Sequence, residues 1–182
     1  MAFLVKNTAV SRSIPTTSQG AYALIHQWMV VTRPAATTNV NATPEMCFRV
    51  FGGRILVHVL MLEVTTLIGA GATTHKWSSK RLDSAGAAVG TAVDLTAASA
   101  SLANREVGAT LVALGSGAAG IISNAGASIA TLGLNAFILP QGEIYSTTAG
   151  ADTTGAVKYD IYFQPLDPGA YVVAQPALTA VI

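Results

Sequence analysis

The sequence predicts an all-β protein, an antiparallel β-sandwich of jelly-roll type with an N-terminal arm and a C-terminal tail. Three observations carry that prediction. In residues 155–169, Val157, Tyr159, Ile161 and Phe163 share one face of an extended chain, while Lys158, Asp160 and Gln164 share the other. Such period-two alternation marks a strand with one dry face and one wet face. Short apolar runs recur along the chain, with turn signals about every eight to twelve residues. No βαβ alternation and no long amphipathic helix interrupts them.

The chain divides into an arm (1–20), a sandwich domain (21–175) and a tail (176–182). Residues 7–20 are small and polar, without helical or strand period. In an oligomer such an arm lies across a neighbour. Residues 22–31 read as a strand or a short helix, ended by Pro34. Residues 46–51 and 54–67 read as two strands of a hairpin around Gly52-Gly53, because paired glycines turn tightly. The second of these is apolar on both faces. Ile55, Val57, Val59 and Met61 fall on one side, and Leu56, Leu60 and Leu62 on the other. One of its two covers is then open to another subunit.

Residues 73–79 form a strand with His75 and Trp77 on the same face. Residues 89–96 are weakly β. Residues 94–104 read as a turn or a short helix capped by Asp94 or Thr96, with Leu95, Ala98 and Leu102 at helical spacing. Residues 107–114 are another strand, and 115–120 a glycine-rich loop. Apolar pieces follow at 121–122, 129–132 and 134–139. Residues 143–148 are read as pairing with the strand at 157–163 through a loop at 149–154. Pro165 stops that strand, Asp167-Pro168-Gly169 turns the chain, and 171–174 is the last strand.

Charge narrows the function classes. Only 10% of residues are charged and the net charge is +1, against roughly 25% charged in ordinary soluble domains. The surface must be built from Thr, Ser, Asn, Gly and Ala, which suits subunits packed against one another. Nucleic-acid binding needs clustered cations. The densest group here, Lys76, Lys80 and Arg81 near Asp83, reads as a solvated loop rather than a phosphate site. The longest apolar run, 55–62, contains His58 and is too short for a bilayer-spanning helix. The opening Met1-Ala2-Phe3-Leu4-Val5-Lys6 does not read as a signal peptide.

The residues offer no catalytic, cofactor or metal site to name. Cys47 is the single cysteine. Flanked by Met46, Phe48 and Val50, it reads as a core filler. His26, His58 and His75 have no ligand spacing, and His58 reads as a core histidine. The carboxylates stand singly. Gly115-Ser116-Gly117-Ala118-Ala119-Gly120 matches a dinucleotide-binding glycine pattern, but no helix start follows it and position 140 is Pro. Trp28 and Trp77 read as packing or intersubunit residues before they read as a sugar platform.

Several turn motifs resemble a family of small virion proteins of tailed bacteriophages. They are Leu139-Pro140-Gln141-Gly142-Glu143-Ile144-Tyr145, Gly155-Ala156-Val157-Lys158-Tyr159, and Pro165-Leu166-Asp167-Pro168-Gly169-Ala170-Tyr171-Val172-Val173-Ala174. Val93-Asp94-Leu95, Val107-Gly108-Ala109-Thr110-Leu111 and the apolar strand near Ile55 are similar in place and type. The resemblance covers roughly 45–175. It implies a β-sandwich that decorates or cements the capsid exterior, as a homotrimer on the major capsid protein, made in the host cytoplasm and located in the virion. It brings no catalytic or binding residue with it. The alternatives are a spike, fibre or tail-tip module that binds a host glycan, and a jelly-roll main shell protein.

Overall fold

In the computed structural model, residues 29–37, 44–113, 121–123, 136–150 and 154–175 are described. They form two antiparallel sheets and, among the described residues, no helix. The strands are β1 (Met29–Thr37), β2 (Glu45–Phe51), β3 (Ile55–Thr66), β4 (Thr73–Arg81), β5 (Val93–Asp94), β6 (Thr110–Val112), β7 (Ile121–Ser123), β8 (Phe137–Leu139), β9 (Gly142–Gly150), β10 (Ala156–Pro165) and β11 (Tyr171–Ala174). Sheet I has the order β1-β10-β3-β6-β7, with β8 also on β3, and sheet II the order β11-β2-β9-β4-β5.

This order is a hairpin rolled into a sandwich. The arms of the hairpin pair as β1 with β10, β2 with β9, β3 with β8 and β6, and β4 with β5. Rolling then adds β10 to β3 and β9 to β4. Those are the neighbours of an eight-stranded jelly roll, and β11 is added outside β2. The core lies between the sheets. Ile55, Val57, Leu60 and Leu62 from β3 meet Val157, Tyr159, Ile161 and Phe163 from β10, over Phe48, Trp77 and Ile144 of sheet II.

Two predicted hairpins are corrected. β2 and β3 lie in different sheets, and so do β9 and β10. Gly52-Gly53 makes a corner between sheets, not a hairpin turn. Gly52 has φ +72°, and a Cβ there would lie 2.2 Å from the Gly169 carbonyl oxygen. The corner therefore packs against the β10–β11 corner, where the Ala170 N–H donates to the Asp167 carbonyl (3.1 Å) and Gly169 has φ +82°. A Pro at the second and a Gly at the third turn position suit that conformation. The turn at 167–169 and the burial of Ile161 stand as expected.

Three local readings also change. Pro34 does not end the first strand. It sits inside β1 where the register shifts between Arg33 and Ala36. An edge strand tolerates Pro at such an irregularity. Residues 22–28 lie outside the described residues. In β3, the register with β10 shifts between Tyr162 and Phe163, opposite Val59 and Val57. His58 is the inserted residue, so the inward set is Ile55, Val57, Leu60, Leu62 and Val64, and Val59 and Met61 turn outward half-buried. The β3 strand thus has one fully dry face, not two.

The third change concerns 94–104, which is not helical. It runs beside β4 and closes that strand's edge. Leu95 and Thr96 N–H donate to the Trp77 carbonyl, Ser99 N–H to His75, and Leu102 N–H to Thr73. In return the Trp77 N–H donates to Thr96 Oγ1 (3.1 Å) and the His75 N–H to Ser99 Oγ (3.1 Å). Hydroxyls compete with helix formation by satisfying nearby backbone in this way. The arm, the tail, the loop 115–120 and the apolar piece 129–132 lie outside the described residues.

Candidate functional site

The chemistry-bearing residues gather in the core. β1 is inward at Arg33, β2 at Glu45 and Cys47, β4 at His75, β9 at Ser146 and β10 at Tyr159, all buried. Arg33 pairs with Glu45, and Arg33 Nη1 lies 3.5 Å from Cys47 Sγ. The Arg33 guanidinium stands 5.3 Å from the Tyr159 ring centre. Ser146 Oγ bridges Tyr159 Oη and His75 Nε2, at 2.8 Å each. His75 meets the Trp77 ring edge-on at 4.3 Å between centres.

This network ties the sheets together and is closed to substrate. Burial pushes the Cys47 thiol up to about 12, so a thiolate nucleophile is out of reach at neutral pH. Burial likewise pushes His75 down to about 3 and raises the Tyr159 hydroxyl. Cys47 is the core filler its neighbours indicated, and His75 and Trp77 share an inward face as expected. Trp77, 0% exposed, is no sugar platform. His58 is half-buried at the bulge. His26 and Trp28 lie outside the described residues. Sequence reading missed Arg33, Ser146 and Tyr159 as a network. One signal was present for Arg33, which has the strand parity of Val31, an apolar inward position.

The basic trio is not a loop. Lys76, Lys80 and Arg81 all lie on β4, and Lys76 is paired with Asp94 at 3.0 Å. Lys80 and Arg81 line a cleft of about 320 Å³ at one end of the sandwich, with Val50, Val93, Pro140 and Ile144, and with Glu143 beside them. Its charges are mixed, which fits no phosphate cradle. Among the described residues, no group of His, Cys, Asp and Glu has the geometry to hold a metal ion.

The outer face of sheet I is different in kind. Val30 of β1 is 54% exposed and Ile138 of β8 is 57% exposed. Between them Leu56, Val59, Met61 and Tyr162 are half-buried. The register sets Val30, Tyr162 and Val59 in one apolar row, and Leu56 between Ile138 and the half-buried Gln164 in the next. The charges of the face collect at one end, one lysine between two carboxylates. Lys158 Nζ is 2.8 Å from Glu63 and 4.0 Å from Asp160, and the Thr32 hydroxyl donates to Asp160. Sheet II carries a more polar outer face, where Tyr171 stacks on Phe51 and Arg49 lies over the Phe51 ring.

No family model matches this chain, and neither the curated proteins nor the solved structures include one similar to it.

Proposed function

We propose that this protein is a non-enzymatic structural subunit of a virion, a homo-oligomer that decorates or cements a bacteriophage capsid. The observation that carries the reading is the outer face of sheet I. It presents apolar side chains from four strands, with its ionic groups gathered at one end. An apolar patch bounded by polar groups is the usual make-up of a subunit contact. The low charge content and the resemblance of the turn motifs support the same reading. The partners are other copies of the chain, in a trimer on the resemblance, and the major capsid protein.

Light scattering on the purified protein, with binding to capsids that lack it, tests this. A trimer that binds capsids at fixed stoichiometry is the expected result. A monomer that binds none overturns it. Removal of residues 1–20 is expected to weaken trimer formation or attachment.

The strand order favours one second reading, a main shell protein, since jelly rolls build viral shells. That reading requires the isolated protein to close into shells without another subunit. The glycan-binding reading loses its best residue, because Trp77 is in the core.

A further inference from the structure

We propose that the cleft at the end of the sandwich binds a short aliphatic carboxylate, with Arg81 holding the carboxylate and the open end of the core holding the chain. The floor of the cleft is apolar and buried, at Val50, Leu139 and Ile144. Its rim carries Val89 and Val93, which are 44% and 64% exposed. In the register Gly142 stands between Val50 of β2 and Arg81 of β4, and it contributes no side chain to the lining. At about 320 Å³ the cleft lies at the small end of ligand pockets, so the chain it takes is short.

Strand alternation sorts the charges. Arg81 has the parity of His75 and Trp77, the inward side chains of β4, whereas Lys80 has that of Lys76. Glu143 has the parity of Tyr145 on β9, and its carboxylate accepts from the Tyr145 hydroxyl. Lys80 and Glu143 are cross-strand neighbours on that outer side. The cleft is left with one guanidinium, and among the described residues Arg81 has no ion-pair partner. A guanidinium matches a carboxylate as a two-point fork. One cation compensates one negative charge, whereas a phosphate dianion would leave an excess beside Glu143. Ser79 and Thr91 add hydroxyl donors to the lining.

Calorimetric titration of the purified protein with butanoate, hexanoate, octanoate and octan-1-ol tests the site. Octanoate is expected to bind with a Kd below about 1 mM. Along the acids, affinity is expected to rise about two- to fourfold per methylene. Octan-1-ol, with the same chain and no charge, is expected to bind about tenfold more weakly than octanoate. Arg81→Gln changes an exposed side chain. It is expected to keep the wild-type Tm and to bring octanoate down to the level of the alcohol, a loss of about tenfold. Lys80→Gln is expected to shift octanoate binding by less than about twofold. A wild-type protein that takes up no octanoate at millimolar concentration overturns the proposal. So does an Arg81→Gln protein that binds octanoate as the wild type does, which would put the acid elsewhere. An equal loss in Lys80→Gln overturns it too, because net charge and not a placed guanidinium would then be the cause.

Discussion

Arg54 holds Asp167 at three points. Its backbone N–H and Nε donate to Oδ2 at 2.7 and 3.0 Å, and Nη2 donates to Oδ1 at 2.8 Å. The Arg54 carbonyl in turn accepts from Leu166 N–H at 2.9 Å. The two corners that carry the chain between the sheets are thereby fastened to each other. The Arg54 side-chain and backbone hydrogen bonds hold the Asp167 carboxyl down, at about 2.

The pH dependence of that fastening has a definite sign. Asp167 has a lower pKa folded than unfolded, so its contribution is present above about pH 4 and is lost as pH falls toward 2. Asp167→Asn is expected to lower Tm at pH 7. Thermal melts down to pH 2 should show the gap from wild type closing. A constant gap would mean the carboxylate's charge is irrelevant.

His75 is expected to set an acid limit of its own. It stays neutral in the fold, while the unfolded chain takes a proton near pH 6.5. Stability therefore falls as pH drops from about 6.5 toward 3, by on the order of 1 kcal/mol per pH unit at most. His75→Gln is expected to be less stable at pH 7 and to show a flatter profile across that window. Urea midpoints taken at intervals from pH 7 to 4 measure both.

The Arg33–Glu45 pair is buried at both ends. Removing the cation alone leaves a carboxylate in the core, which typically costs about 3–5 kcal/mol. Arg33→Met is expected to lose about that much, and Arg33→Met/Glu45→Met to recover most of it. A double-mutant cycle from denaturant unfolding reads the coupling. Additive losses would show that the pair does not act as a unit.

Two glycines separate backbone strain from collision. Gly90 has φ +77°, and a Cβ added there would meet no atom within 4 Å, whereas Gly52 has φ +72° with the Gly169 carbonyl at 2.2 Å. Gly90→Ala is expected to cost about 1–2 kcal/mol from the left-handed backbone alone. Gly52→Ala must also push the corners apart and is expected to cost clearly more. Equal losses for the two would refute the packed corner.

Ile161 is 0% exposed on β10. Ile161→Asp is expected to abolish folding, while Ile161→Val is expected to lose about 0.5–1.5 kcal/mol. A soluble Ile161→Asp protein with native near-ultraviolet dichroism would contradict the inward face.

The strands themselves were legible because alternation is local. Val157, Tyr159, Ile161 and Phe163 announce their face without reference to any other strand. Pairing was less legible. Gly52-Gly53 turns the chain equally well into a hairpin or a corner, and only Gly169, more than a hundred residues away, decides which. The inserted His58 was hidden because its neighbours are apolar on both sides, so a slip of one residue leaves the pattern looking intact. Pro34 misled because edge position is a property of the sheet and not of the sequence near it. The buried network was invisible for a related reason. Arg33, Ser146 and Tyr159 come from three strands, and each finds its partner on another strand, 12 or more residues away. The outer face of sheet I was partly foreseen in the apolar β3 strand, though with Val59 and Met61 assigned to the same side as Ile55.

The rolled hairpin also has a clock in it. Thr32 of β1 bonds to Asp160 of β10, 128 positions later. At about 5–20 residues per second, a ribosome needs roughly 6–26 s to bridge that gap. Through most of that interval, once Thr66 is passed, β1 and β3 have been made and their shared neighbour β10 has not. Their apolar residues wait uncovered, in a chain with few charges to keep waiting copies apart. Crowded synthesis then favours entanglement between nascent chains over orderly closure, and lower expression temperature or chaperone supply should raise the yield of folded protein.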